Sequence, residues 1–112
     1  MLITILKSKI HRATVTDSNI NYIGSCAIDI DLMNEANIRE NEQIHIYNVT
    51  NGERFQTYAI ASDIPGTISV NGSAARKAIA GDLLIIVTYG MISDTSEHIP
   101  TIVHVDENNK LR

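Results

Sequence analysis

Apolar and polar residues alternate with a period of two in eight short blocks of this chain: Leu2 to Leu6, His11 to Thr16, Cys26 to Ile30, Gln43 to Val49, Arg54 to Ala61, Thr67 to Val70, Leu83 to Thr88 and Thr101 to Val105. The blocks are rich in Ile, Val and Thr, whose branched side chains suit a half-buried pleated surface, so each predicts a β-strand. Asn51-Gly52 separates two of them. That pair accepts the positive φ values of a tight type I′ turn, and Gln43 to Ala61 is therefore predicted to be a hairpin. Two short helices are expected between strands. One lies near Asp31 to Ala36 with Asp31 as its cap; the other lies near Ser73 to Ile79, with Ser73 as its cap and Gly81 following its C-terminus. The tail from Asp106, DENNKLR, has no apolar period and is expected to fray.

Shifting the chain by forty residues lays Ala27-Ile28-Asp29-Ile30 on Thr67-Ile68-Ser69-Val70, and Asn41 to Ile46 on Gly81 to Ile86. Each half then reads strand, short helix, small-acidic turn, strand. Two such halves could interlock into a closed barrel that leaves no sheet edge exposed; the competing reading is chance likeness among short β segments.

Composition narrows the class. The 112 residues suffice for one domain, and an apolar share of 44% with 20% charged residues is that of a folded globular chain. A net charge of −4, with nine Lys and Arg dispersed along the chain, supplies no basic stripe for phosphates, so nucleic acid is not an expected partner. The longest apolar run, Leu83 to Val87, falls far short of the roughly 20 residues of a membrane span. The first residues, MLITILKSKIHR, carry their charges after the apolar stretch, the reverse of a secretory signal, and a cytoplasmic location is expected. One cysteine, Cys26, forms no internal disulfide and leaves too few thiols for structural zinc.

Ser25 sits in "NYIGSCAID" without the Gly-x-Ser-x-Gly elbow or the oriented base that a serine hydrolase needs. Cys26 reads as a small buried apolar residue. The four histidines lack metal-ligand spacing, and His45 and His104 read as strand residues without function. Lys7, Lys9 and His11 would share one face of a strand in a run, Lys7 to Arg12, that concentrates basic and titratable side chains, which suits a solvated edge strand. Arg54 and Tyr58 share a face of the following hairpin arm, where a carboxylate-binding fork beside a phenol and an exposed cross-strand pair are equally good readings. Asn71-Gly72-Ser73-Ala74 passes from strand to helix with side chains small enough to let a ligand approach the backbone.

Four motifs in order, "KSKIHRATVT", "YIGSCAID", "IYNVTNGERFQTYAIA" and "ISVNGSAA", closely resemble the pyruvoyl-dependent aspartate 1-decarboxylase family from Met1 to about Val87. The resemblance implies a mainly β fold, a double-psi β-barrel with two short helices, as a single domain 1–112 assembled into a homotetramer with sites between subunits. It also implies self-cleavage between Gly24 and Ser25 into 1–24 and 25–112, Ser25 becoming a covalent pyruvoyl cofactor with no metal. Gly24 would suit such a bond by resisting neither a strained backbone nor attack on its carbonyl. L-Aspartate would be decarboxylated through a Schiff base to β-alanine, for pantothenate and coenzyme A synthesis. By the same resemblance, Thr57 would assist processing, Tyr58 would protonate the product carbon, and Lys9 and Arg54 would hold carboxylates. Asn71, Gly72, Ser73, Ala74 and Thr57 would contact substrate, and His11, Tyr22 and Tyr47 would support the site, Tyr47 standing where many relatives have tryptophan. Whether a maturation factor assists is left open. The alternative from another class is a barrel that binds a small metabolite without cleaving itself.

Overall fold

The first two predicted strands are one. In the computed structural model, which describes Met1 to Arg112, β1 spans Leu2–Thr14. Register shifts between Leu6 and Ser8 and between Ile10 and Ala13 interrupt its pairing, and Arg12 takes a left-handed conformation (φ 64°) at the second. These bulges break the alternation that sequence reads as two blocks. The other strands are β2 (Asp17–Asn19), β3 (Ser25–Asp29), β4 (Gln43–Asn48), β5 (Arg54–Ser62), β6 (Ile68–Asn71), β7 (Leu83–Ser93) and β8 (Thr101–His104). The three-residue β2 carries no detectable period, and β7 runs five residues beyond its predicted end.

The helices differ from expectation at their ends. The α-helix α1 (Ile30–Ala36) is capped by Asp29, not Asp31: the Asp29 carboxylate accepts from the backbone N–H of Asp31 at 2.9 Å and of Gly66 at 2.7 Å. The predicted second helix is a single 3-10 turn, Gly72–Arg76, with no side-chain cap from Ser73. It stops early because Asp82 accepts from Ile79 N–H at 3.1 Å and from Asn48 Nδ2 at 2.9 Å, which holds residues 77 to 82 as a loop. The Gln43 to Ala61 hairpin forms, but not through a two-residue type I′ turn. Only Gly52 has positive φ (79°), and buried Asn48 organises a longer loop by accepting from Thr50 and Asn51 N–H and receiving Gly52 N–H on its carbonyl.

The strands order as β2-β6-β3-β5-β4-β7-β1-β8. Because β1 continues through Thr16 into β2, and β2 pairs with β6, the order closes on itself from β1 to β2, with β8 added outside on β1. Thr16 N–H donates to Ile68 O at 2.8 Å, and Ile68 N–H donates to Thr16 Oγ1 at 3.0 Å. The result is a ring around a core of mainly Ile, Val, Leu and Ala, each buried Ile or Leu contributing about 1.5–3 kcal/mol.

The forty-residue repeat is real in three dimensions. β3-α1-β4 and β6-turn-β7 follow the same order, β3 pairs antiparallel with β6, and β4 pairs antiparallel with β7. Ile28 lies directly opposite Ile68, and Ile46 opposite Ile86. Residues forty positions apart that pair with each other mark a pseudo-two-fold axis running through both pairs, all four side chains being fully buried.

The tail does not fray. Asn109, 2% exposed, accepts from Thr14 N–H at 2.7 Å and donates to Thr14 O and Gly66 O, each at 2.8 Å, while Val105 bridges Leu111. The polar sequence hides a clasp in which one amide stands in for a strand partner. Removing it by Asn109→Ala should cost roughly 1 to 3 kcal/mol, because the buried backbone groups lose their partner. Thermal unfolding would read this as a Tm lowered by about 4 °C per kcal/mol; an unchanged Tm would show that the tail is fastened elsewhere.

Candidate active site

β3 begins at Ser25, directly opposite Asn71 at the end of β6. Ser25 is 1% exposed, so its hydroxyl is satisfied within the protein: it donates to Ile23 O at 3.2 Å and accepts from Asn71 Nδ2 at 3.4 Å. The Asn71 amide is turned toward Ser25 because its own Oδ1 accepts from Ser69 Oγ at 3.0 Å. Ser69 has no sequence signal beyond its place two residues before Asn71, on the same strand face.

Gly72 follows with φ 70°, and a Cβ there would come within 2.5 Å of Gly24 Cα and 2.7 Å of Gly24 N. This close approach explains glycine at position 72. Gly24 has no positive φ, and a Cβ on it would meet nothing within 4 Å. Ser73 of the same turn is exposed, and Ala74 packs against the core.

β5 runs parallel to β3 with Cys26 level with Ala59. Tyr58 and Thr57 directly precede Ala59 on β5, as Ser25 and Gly24 directly precede Cys26, so the two β5 residues lie just beyond the paired stretch of the two strands. Both are half-buried, and no hydrogen bond joins Thr57 to Gly24 or Ser25. Tyr22 is exposed and borders a cavity of about 670 Å³ with Asn71 and Ser69. That cavity also carries the carboxylates of Asp17 and Asp63 and no cationic side chain.

The cations lie elsewhere, on the outer face of β1, β7, β4 and β5. Lys7 is engaged by both Glu42 oxygens at 3.0 Å, whereas Lys9 and Arg54 join no ion pair. Lys9 is in register with Val87, Val87 with His45, and His45 with Gln56, so the route from Lys9 to β3 through β7, β4 and β5 crosses four strand spacings, about 19 Å along the curved sheet. Arg54 is four residues from Tyr58, about 13 Å along β5. Its guanidinium stacks on the Tyr47 ring, 4.1 Å from the centroid. One chain therefore brings Ser25, Asn71 and Gly72 together, while the Tyr58, Lys9 and Arg54 side chains make no hydrogen bond to any of them.

Burial pushes the Cys26 thiol up to about 12, which keeps it protonated and inert. His11 packs edge-on against His104, ring centroids 5.6 Å apart, with a buried Nδ1 that has no partner. Its pKa is lowered, first by desolvation and then by the charges of Lys9, His104 and Arg12.

Comparison with known proteins gives a family model described as aspartate decarboxylase, which matches residues 1–112. An aspartate 1-decarboxylase of Albidiferax ferrireducens is 56% identical over 115 aligned positions, covering 100% of this chain and 85% of that protein. Aspartate 1-decarboxylase 2 of a Polaromonas species is 57% identical, covering 98% of this chain and 90% of the relative. The aspartate 1-decarboxylase of Methylococcus capsulatus is 56% identical, with 99% and 90% covered.

The lowered pKa of His11 carries a stability consequence. Folding favours the neutral imidazole, so its contribution is present above the ordinary value of 6.5 and is lost as pH falls through that value toward the lowered one. Tm measured against pH should fall less steeply below 6.5 in His11→Asn than in the unmodified chain. Parallel curves would remove His11 as the source.

Proposed function

The chain belongs to the aspartate decarboxylase family, and from that premise we propose that it removes carboxyl group 1 of L-aspartate as CO₂ and releases β-alanine, for pantothenate and coenzyme A synthesis in the cytoplasm. The observation that carries this reading is the family match over the whole chain, falling on a Gly24-Ser25 bond whose hydroxyl is buried and held by Asn71.

The family's cofactor is a pyruvoyl group made from the chain itself. The surroundings of position 25 fit it: the site is dry, an amide N–H₂ points at the Ser25 side chain, and Gly72 leaves open the space beside Gly24 that any Cβ would fill. Asn71 and Gly72 are the residues that would hold it. A ketone at this position supplies an electron sink for the pair left behind when a carboxylate departs.

Self-cleavage is proposed to begin when Ser25 Oγ adds to the Gly24 carbonyl and the amide C–N bond breaks, leaving an ester. Elimination then breaks the Ser25 Cβ–O bond and frees Gly24 as a carboxylate; water hydrolyses the remaining enamine, as its imine tautomer, to the ketone with loss of ammonia. The chain so becomes 1–24 and 25–112. Thr57, two residues before Ala59 on the strand parallel to β3, is suited to donating to the developing oxyanion. Asn71 would hold the nucleophilic hydroxyl in place beforehand.

Tyr58 is proposed to deliver the proton to the carbon that loses CO₂, its place next to Ala59 on the strand that pairs with β3 beside Ser25 supporting that role. Lys9 and Arg54 are assigned to substrate carboxylates. Their distance from Ser25 within one chain supports an assembly in which a neighbouring copy supplies them, as in the homotetramer expected for the family, with His11, Tyr22 and Tyr47 lining the junction and Ser73 and Ala74 at its edge.

Intact-mass measurement of purified protein should give two chains broken after Gly24, the second lacking a free N-terminal amine. Ser25→Ala should give one full-length chain. Tyr58→Phe should be cleaved normally yet turn over aspartate on the order of 10²- to 10⁴-fold more slowly. A Ser25 chain that stays whole while binding acidic metabolites would favour the non-catalytic barrel.

A further inference from the structure

Arg54 is exposed and joins no ion pair, so what fixes the direction of its guanidinium is the ring beneath it. That ring belongs to Tyr47, directly opposite Arg54 in the β4–β5 register. An aromatic face attracts a guanidinium but holds it only as firmly as the ring itself is held. The Tyr47 ring is tied at its tip: its hydroxyl lies 2.7 Å from the hydroxyl of Tyr89 on β7. Tyr89 is steadied in turn by His45, whose ring meets it edge-on with centroids 5.0 Å apart and planes at 86°. The three rings border a cleft of about 610 Å³ whose other walls are Thr4, Glu42, Gln43 and Met91. The Tyr47 hydrogen bond is also the chief reason the Tyr89 pKa is raised, which favours the Tyr89 phenol over its phenolate.

We propose that Tyr89 is a positioning residue for carboxylate recognition: its hydroxyl locks the Tyr47 ring, and the locked ring aims the Arg54 fork at the substrate. This rests on the assignment of Arg54 to a substrate carboxylate. A planar fork binds a carboxylate through two parallel hydrogen bonds, which demand orientation as well as charge, so a ring free to turn beneath it would weaken binding without touching the reacting carbon. The lock needs a hydroxyl on both rings, which Tyr47 and Tyr89 supply.

The test is Tyr89→Phe, which deletes one oxygen and leaves the ring against His45. In the matured protein, KM for L-aspartate should rise roughly two- to ten-fold with kcat little changed, as loss of one hydrogen bond permits. Calorimetric affinity for succinate, a dicarboxylate with no amine to react, should fall by a similar factor. Tyr47→Phe should do the same, and the double variant should be no worse than either single one, since the two hydroxyls form one bond. Mass measurement should find the Tyr89→Phe chain cleaved as fully as the unmodified one.

Unchanged KM and succinate affinity, additive effects in the double variant, or loss of cleavage would each overturn the proposal while leaving the decarboxylase reading intact. An unmodified, fully cleaved protein that neither binds succinate nor consumes aspartate would overturn that reading and this inference together.

Discussion

The antiparallel pairing of β3 with β6 governs both the core and the candidate site. At one rung it sets Ile28 against Ile68 on the pseudo-two-fold axis, where both side chains are sealed from water. Three residues along each strand, the same ladder sets Ser25 against Asn71 and brings Gly72 onto Gly24. Register in a sheet is all or none, because a slip of one residue turns every side chain to the opposite face. The hydrophobic requirement for Ile28 and Ile68 therefore also fixes the contact between a hydroxyl and an amide that no apolar force would select on its own.

Electrostatics divides the molecule differently. Lys7 and Glu42 satisfy each other on a half-buried face, so that lysine is structural, while Lys9 two residues on has no anionic partner. Arg54 is satisfied only by an aromatic face. The cavity near Asn71 has the opposite character, with Asp17 and Asp63 on its walls. A dicarboxylate would be repelled from that cavity and attracted to the outer face of β1 and β5, which is why chemistry at Ser25 and anion binding are proposed to meet only when two copies come together.

The strands and the hairpin were legible because burial on one face writes a period of two into the sequence, and the forty-residue repeat was legible because both halves answer to the same pairing. Features held by polar side chains were not. Asn109 and Asn48 look like loop residues in sequence, yet both are 2% exposed and each satisfies several backbone groups, something polarity alone does not reveal. The cap of α1 moved from Asp31 to Asp29 because the latter also serves Gly66, a partner 37 residues away. At the site, the strand order β6-β3-β5 sets the strands of Asn71, Ser25 and Tyr58 side by side, and the φ of Gly72 and its approach to Gly24 could not be read from the sequence. Tyr89 carried no motif at all, since its meaning depends on which residue stands across two strands from it.

β1 is gripped on both sides, by β7 over most of its length and by β8, and its Thr14 backbone is clasped by Asn109 from the far end of the chain. If the chain is cut after Gly24, the first segment remains an interior strand with no covalent tie to its neighbours. The folded state would survive the cut, but unfolding would then release two molecules that must find each other by diffusion, so the order of events runs one way. The intact chain carries the instructions for assembly, and the cut protein inherits a shape it would rebuild only as a bimolecular, concentration-dependent association.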